Sequence, residues 1–296
     1  LNLPGVLLLA HAMIIAAYLL HECAHNTLFR HNRHNQWLGE ALLWLVGASY
    51  GRYEDIRHKH VRHHTDRADV VACDFRPWLE RHPAALRPLQ WLERLYLPAV
   101  DLVMHALVIV LPFILPGRRD RRGRVLLMLL ARGAFFAGLA WLSPRVLLLY
   151  PLSYLLMLHV LRFMDVHQHT YEVLETLEQP RGHEARRHDR AFEQQNTFSN
   201  LLSERRPWLN LLVLNFPYHN VHHQQPGAPW YRLPALHAQL FGAQDPQVLP
   251  FARLLRSYHR YRVPRVINGD PPGLEVRGER AGRFVGVVGV SFLTAH

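Results

Sequence analysis

Long, nearly uncharged apolar runs alternate with stretches packed with arginine and histidine, and this alternation limits the possible folds more than any average does. Residues 3–20, 95–116, 125–142 and 146–161 are the long apolar runs. A helix needs about 20 predominantly apolar residues, range roughly 17–25, to cross a bilayer. The whole-chain mean hydropathy of −0.08 conceals this, because the basic stretches cancel the apolar ones. A 296-residue chain that is 49% hydrophobic is ordered rather than disordered. Its two cysteines, Cys23 and Cys73, exclude a disulfide scaffold and a four-cysteine zinc site. The formal charge is +11, and all but one of the basic residues are arginine. So basic a chain ordinarily suggests nucleic acid. Here the arginines flank apolar segments, so a membrane is expected and nucleic acid is not. Leu1 already lies inside an apolar run, which reads as the continuation of an upstream segment.

The spacing predicts an all-α fold: multi-pass membrane helices with a cytoplasmic helical cap. Spanning helices are expected at about 3–20, 125–142 and 146–161. Residues 37–50 are too short to span and read as an interfacial or re-entrant helix. Residues 117–124, GRRDRRGR, hold five arginines, and short loops rich in basic residues stay cytoplasmic. The hairpin 125–161 then returns the chain to the cytoplasm. If the His-rich residues 51–94 share that side, 95–116 enters and leaves on one face, with Pro98 and Pro112 as break points. Residues 1–270 form a single membrane domain on this reading, and 271–296 a C-terminal tail. The apolar runs 207–217 and 284–294 are too short to cross.

Twenty-two histidines ask for an explanation beyond packing. Three clusters stand beside apolar runs: His21-Glu22-Cys23-Ala24-His25, His60-Val61-Arg62-His63-His64 and His219-Asn220-Val221-His222-His223. Positions i and i+4 share a helical face, so each cluster is expected to aim two or three imidazoles to one side. A fourth, Asp165-Val166-His167-Gln168-His169, follows the last span. One HExxH alone suggests a zinc protease with Glu22 as base, but that leaves both HxxHH segments unexplained. Imidazole suits iron, zinc, copper and nickel. Eight histidines in three clusters, nine with His169, are too many for one ion and suit two ions with four or five ligands each. Glu22, Asp66 and Asp69 are candidate acceptors for ligand N–H groups. His58 lies off the HxxHH face, and His31, His34, His183, His188 and His237 read as surface residues.

HECAH, HVRHH and HNVHH resemble the three histidine boxes of the membrane fatty acid desaturase and hydroxylase superfamily. The resemblance covers residues 21–234, and NFPYHNVHHQQPGAPW (215–230) looks like the third-box region of bacterial members. It implies a non-haem diiron oxygenase, with two iron ions and O2 as co-substrate. The implied ligands are His21, His25, His60, His63, His64, His219, His222 and His223. A ninth, by the same resemblance, comes from an Asn-x-x-x-His element after the last span. Here Asp165 stands for the Asn and His169 for the His, so Asp165, like the competitor His167, is kept as a possible ligand or orienting group. The implied reaction is desaturation of the acyl chain of a lipid or fatty acid. The alternative is hydroxylation of a lipid, alkane or terpenoid C–H bond, and an intramembrane zinc metalloprotease is the remote one. The arginine-rich surface suits an acidic electron donor such as a ferredoxin, rubredoxin or cytochrome b5-like protein, served by a separate reductase. The implied location is a bacterial inner membrane with the site facing the cytoplasm.

Overall fold

A computed structural model of the chain describes residues 2–171, 174–177, 189–241 and 245–294. It is mostly helical. In chain order the helices are α1 (Asn2–Ala24), α2 (Asn32–Leu45), α3 (Tyr53–Asp66), α4 (Arg76–Arg81), α5 (Pro83–Arg94), α6 (Ala99–Ile114), α7 (Arg122–Leu142), α8 (Val146–Val166), α9 (Arg190–Gln195), α10 (His219–Gln224), α11 (Leu233–Leu240) and α12 (Phe251–Arg260). The strands β1 (Asp69–Val71) and β2 (Leu174–Thr176) pair in parallel.

The helices α1, α7 and α8 are long and apolar enough to cross a membrane; for α7 the stretch includes the preceding turn from Pro116. The 23 residues of α1 rise about 35 Å at 1.5 Å each, against a hydrocarbon core of about 30 Å. Ala10, Ala16 and Ala17 are buried where α1 meets α2 and α8, and small residues let helix backbones approach closely. The Ser153 hydroxyl of α8 donates to the Val6 carbonyl at 3.2 Å. By contrast, only 6% of the apolar window of α7 is buried in protein. Leu126, Leu127, Leu130, Phe135 and Trp141 all face outward, a contiguous apolar surface that a soluble monomer rarely exposes. The single charge mid-way along α7, Arg132, is turned inward and donates to Trp44 O and the Tyr150 hydroxyl at 2.9 and 3.0 Å.

Two short apolar segments differ from expectation at their ends. α2 runs five residues earlier than 37–50. The Asn35 amide bridges the Phe29 and His31 backbones and so starts the helix early. Gly47, at φ 77, lets Ala48 N–H return to Leu43 O and stops it. α6 is a 16-residue helix begun by Pro98, about 24 Å long and short of a bilayer. Pro112 lies inside its last turn rather than breaking it, and Arg122 donates to the Pro112 and Phe113 carbonyls left open there.

Residues 271–294, read from the sequence as a tail, are part of the packed body. Val276, Ala281, Phe284, Phe292 and Leu293 are buried in the main apolar core. Gly286, at φ 73, lies so close to the Val166 carbonyl that a Cβ would collide with it, and Asp270 accepts from Val285 and Gly286 N–H at 2.7 Å. Two polar ties hold the layer beneath the histidines. Arg162 of α8 is buried against Glu93 at 2.7 Å and Asp101 at 3.4 Å. Arg62, on the back of α3, binds Asp66 and Glu175 at 2.7 Å each and locks α3 to β2.

Candidate metal centre

The histidine segments meet at one end of the helical bundle. His21 is in the last turn of α1, and His25 follows it in register, its N–H bonded to His21 O at 3.2 Å. α3 is set against that end by Tyr53, whose hydroxyl donates to Cys23 O at 2.6 Å and whose ring occupies the space a Cβ at Gly39 of α2 would need. A side chain at Gly39 would push α3 away. His169 lies just beyond the end of α8, where it forms an isolated bridge with Thr197. The third box is on α10, only six residues long. Leu214 and Asn215 take left-handed backbone angles, φ 52 and 57, and reverse the chain just ahead of it.

The nine expected histidines form two groups. His21, His25, His60, His64 and His222 bring one ring nitrogen each within 4.8 Å of one another, and so do His63, His169, His219 and His223. Each HxxHH sends two of its imidazoles, the i and i+4 pair, to one group and the third to the other. In α3 the pair His60 and His64 joins the first group while His63 joins the second. In α10 His219 and His223 join the second while His222 joins the first. Neighbouring residues on a helix lie about 100° apart, so a His-His doublet straddles two sites that a single histidine cannot serve.

The donor chemistry fits cations. His63 Nδ1 lies 2.9 Å from the Ala68 carbonyl, so that nitrogen carries the proton and Nε2 keeps its lone pair. The Thr197 hydroxyl donates to Glu193 O at 2.7 Å, which leaves its oxygen to accept from His169 Nδ1 at 3.3 Å. The two Nε2 lone pairs then face each other at 3.0 Å, with His219 Nε2 2.8 Å from that of His169. In the other group His25 and His60 Nε2 are 2.6 Å apart, His60 and His64 3.1 Å, His64 and His222 3.2 Å. Facing lone pairs repel, whereas two nitrogens about 2.1 Å from a shared ion and at right angles stand about 3 Å apart. His21 Nε2 and His223 Nε2 are buried with no hydrogen-bond partner among the described residues. A bound cation would satisfy them.

Burial favours the neutral form of these rings. Burial first, then the neighbouring imidazoles, hold His25, His60, His64, His169, His219, His222 and His223 well below the usual 6.5. Burial also brings His63 down to about 4. Neutral imidazole is the form that binds metal.

The other expected residues are sorted by what they touch. Glu22 accepts from the Thr27 hydroxyl at 2.6 Å and Trp230 N–H at 3.1 Å, and its carboxylate is 3.7 Å from His21 Nδ1. It ties the first box to the loop after the third rather than facing the metal groups. Asp66 pairs with Arg62 at 2.7 Å. Asp69 is 4.0 Å from His63 Nδ1, and burial lifts its carboxyl to about 7. Asp165 lines the cavity between the two groups, with one carboxylate oxygen buried and unpartnered among the described residues. His167 points elsewhere: its ring packs against Phe163, Tyr258 and Phe284, and it is in neither group. His58, His31 and His34 are exposed. His237, read as a surface residue, is buried beside Tyr218 and Phe241 instead. His183 and His188 lie outside the described residues.

Sequence reasoning missed Glu193. Its carboxylate accepts from His223 Nδ1–H at 3.0 Å and pairs with Arg67 at 3.2 Å, and its oxygen also lies near enough to His64 and His223 to share a cation with them. It also missed the stretch 196–200. Thr197 orients His169, the Ser199 hydroxyl donates to Asn220 at 2.5 Å, and the Asn200 amide donates to Met164 O at 2.8 Å. No spacing marks these residues, because their partners lie about 20 to 36 positions away.

Apolar helices long enough to cross a membrane, with two groups of convergent imidazoles at one end that could hold metal ions, suggest a membrane protein of metal-dependent type. Residues 1–254 match the Fatty acid desaturase family, and the chain belongs to it. Membership makes it an oxidoreductase of desaturase or hydroxylase type. Comparison with curated proteins and with solved structures found no match.

Proposed function

We propose that this chain is a membrane diiron oxidase that uses O2 and external electrons to desaturate the acyl chain of a lipid or fatty acid. The observation that carries the reading is the gathering of nine imidazoles, from four separated stretches, into adjoining groups of five and four. His21, His25, His60, His64 and His222 would hold one ion, and His63, His169, His219 and His223 the other. Iron bound there supplies the redox chemistry needed to activate dioxygen against an unactivated C–H bond. The protein's part is placement. Ala68 O and Glu193 hold the outer protons of His63 and His223, which fixes ring orientation and raises ligand basicity. Phe216 and Phe292 wall the cavity beside the histidines and keep water from the reacting carbon.

Orientation and partner follow from charge. The loop 117–124 lies at the histidine end of the bundle, where Arg121 pairs with Asp55 and Arg124 reaches Glu40 at 2.7 Å. Its five arginines favour the cytoplasmic side. The +11 chain favours an acidic ferredoxin, rubredoxin or cytochrome b5-like donor through complementary charge.

A zinc metalloprotease would need Glu22 free beside a metal, and here that carboxylate is engaged by Thr27 and Trp230. The test is metal analysis of detergent-purified protein together with lipid profiling of cells with and without it. About two iron ions per chain, one per group, and new double bonds in acyl chains are expected. New hydroxyl groups would assign the hydroxylase branch. Zinc in place of iron, with an unchanged lipid profile, would overturn the reading.

A further inference from the structure

Two cavities flank one buried turn near the C-terminal end of the chain. The first, about 50 Å³, lies between the metal groups; its walls include His21, His60, His169, Phe216 and Phe292. The second, about 230 Å³, is lined mainly by apolar residues, among them Ala106 and Ile109 of α6, Ala48 just after α2 and Leu293, with Tyr50, His105 and Tyr154 of α8 as its polar side chains. Pockets that take a whole drug-sized ligand run to about 300–1,000 Å³, and a single water needs about 10–15 Å³. The metal-side cavity thus accepts a few atoms, whereas the helix-side cavity accepts a stretch of hydrocarbon.

What separates them is residues 291–294. Thr294 N–H returns to Ser291 O at 3.2 Å, closing a β-turn with Phe292 and Leu293 as its central pair. Phe292 lines the metal-side cavity, its ring centroid 5.8 Å from that of His21 and 6.3 Å from that of His60. Leu293 lines the other cavity. The turn is clamped by Lys59, whose ammonium donates to Ser291 O at 2.6 Å, Thr294 O at 2.9 Å and Thr294 Oγ1 at 3.4 Å. All three of its N–H groups are thereby used. The clamp is thus the residue just before His60, and the turn lies beyond residue 254, where the family match ends.

We infer that Phe292 and Leu293 form a partition that controls how far an acyl chain held between α6 and α8 can advance toward the metal groups, and so select which carbon is presented. This rests on the acyl-oxidation reading above. The chain is held on the Leu293 side by apolar walls that meet a membrane-spanning helix. Lys59 and the burial of Phe292 and Leu293 in the core hold the turn in place, so trimming these two side chains is what opens the way between the cavities.

The test is photolabelling of the full protein in lipid nanodiscs with a long-chain fatty acid carrying a diazirine near its methyl end. Labelled residues are mapped by peptide mass spectrometry. In the wild type, label is expected mainly on Ala106 and Ile109. In the Phe292→Ala/Leu293→Ala double variant, label on Val70 and Phe216, which wall the metal-side cavity, should rise several-fold. Leu293→Ala alone should move label the same way to a smaller extent, and Leu293→Trp should reduce it. These single variants decide the matter if the double variant does not fold. Absence of label on α6 in the wild type, or an unchanged pattern in folded variants, overturns the partition. Product analysis on the same samples separates the two claims. A shifted label without acyl oxidation leaves the partition standing and removes the desaturase reading. Acyl oxidation with unmoved label does the reverse.

Discussion

The two HxxHH segments have the same spacing and are held in opposite ways. α3 is a 14-residue helix that positions its histidines by its own regular geometry. Its outer face reaches solvent at Val61, 39% exposed, while Arg62 anchors the back. α10 has six residues, and all five of its box residues are buried. A helix that short is not stable by itself, so neighbours must fix it. Asn220, in the position equivalent to Val61, is bonded to Ser199, and His223 to Glu193. The division of histidines is also inverted: two and one from α3, one and two from α10. Two identical local patterns thus feed both metal groups, one through helix rigidity and the other through side-chain bonds.

The largest effects that can break this comparison come from the ligands. His63→Ala and His222→Ala remove one ligand from different groups. Each should cut product formation by more than about 100-fold, above the 10–100-fold typical of lost outer-shell partners. Iron analysis checks the division: if the groups are separate, each variant loses chiefly one ion. Glu193→Ala should weaken metal binding by about 10–100-fold at the group containing His223, read by chelator competition. Its effect should exceed that of Asp66→Ala on the same measurement, because Asp66 faces Arg62.

Acid should loosen the metal-free protein in a defined window. Unfolded imidazoles take protons near pH 6.5, whereas burial keeps His63 neutral down to about 4 and its neighbours neutral well below 6.5. Below 6.5 the unfolded chain therefore binds more protons than the folded one. Stability is complete above that pH and is lost progressively as pH falls toward 4. Thermal unfolding of chelator-treated protein in detergent at pH 7.5, 6 and 5 measures this, and a flat profile would mean that the rings are already solvated. The smallest effects sharpen the contrast between the boxes. Asn220→Ala leaves the buried Ser199 hydroxyl without its acceptor and should cost about 1–3 kcal/mol. Val61→Ala, at the matching exposed position, should stay within about 0.5 kcal/mol. Equal costs would show that α10 does not depend on its network.

Much of the architecture is legible without the fold. α1, α7 and α8 announce themselves as long apolar runs, and their ends fall within a few residues of expectation. The histidines of all three boxes can be chosen from twenty-two by spacing beside those runs. The reading of residues 271–296 as a tail shows the limit. Phe284, Phe292 and Leu293 sit in a segment too short to span and too irregular to show a helical period, so nothing local reports that they fill the core. α2 shows a smaller one, since its ends depend on Asn35 and Gly47 making particular backbone contacts.

The amino-acid sequence by itself determined which residues could bind metal and which stretches could cross a bilayer, because helix length and i, i+4 geometry are local quantities. Tertiary structure alone decided that each His-His doublet is shared between two groups of rings, that Glu193 and Ala68 set the tautomers, and that a turn from the far end of the chain separates two cavities. Those outcomes depend on where the ends of α1, α3, α8 and α10 come to rest against one another. Contacts between residues a hundred or more positions apart leave no periodic mark on the chain that makes them.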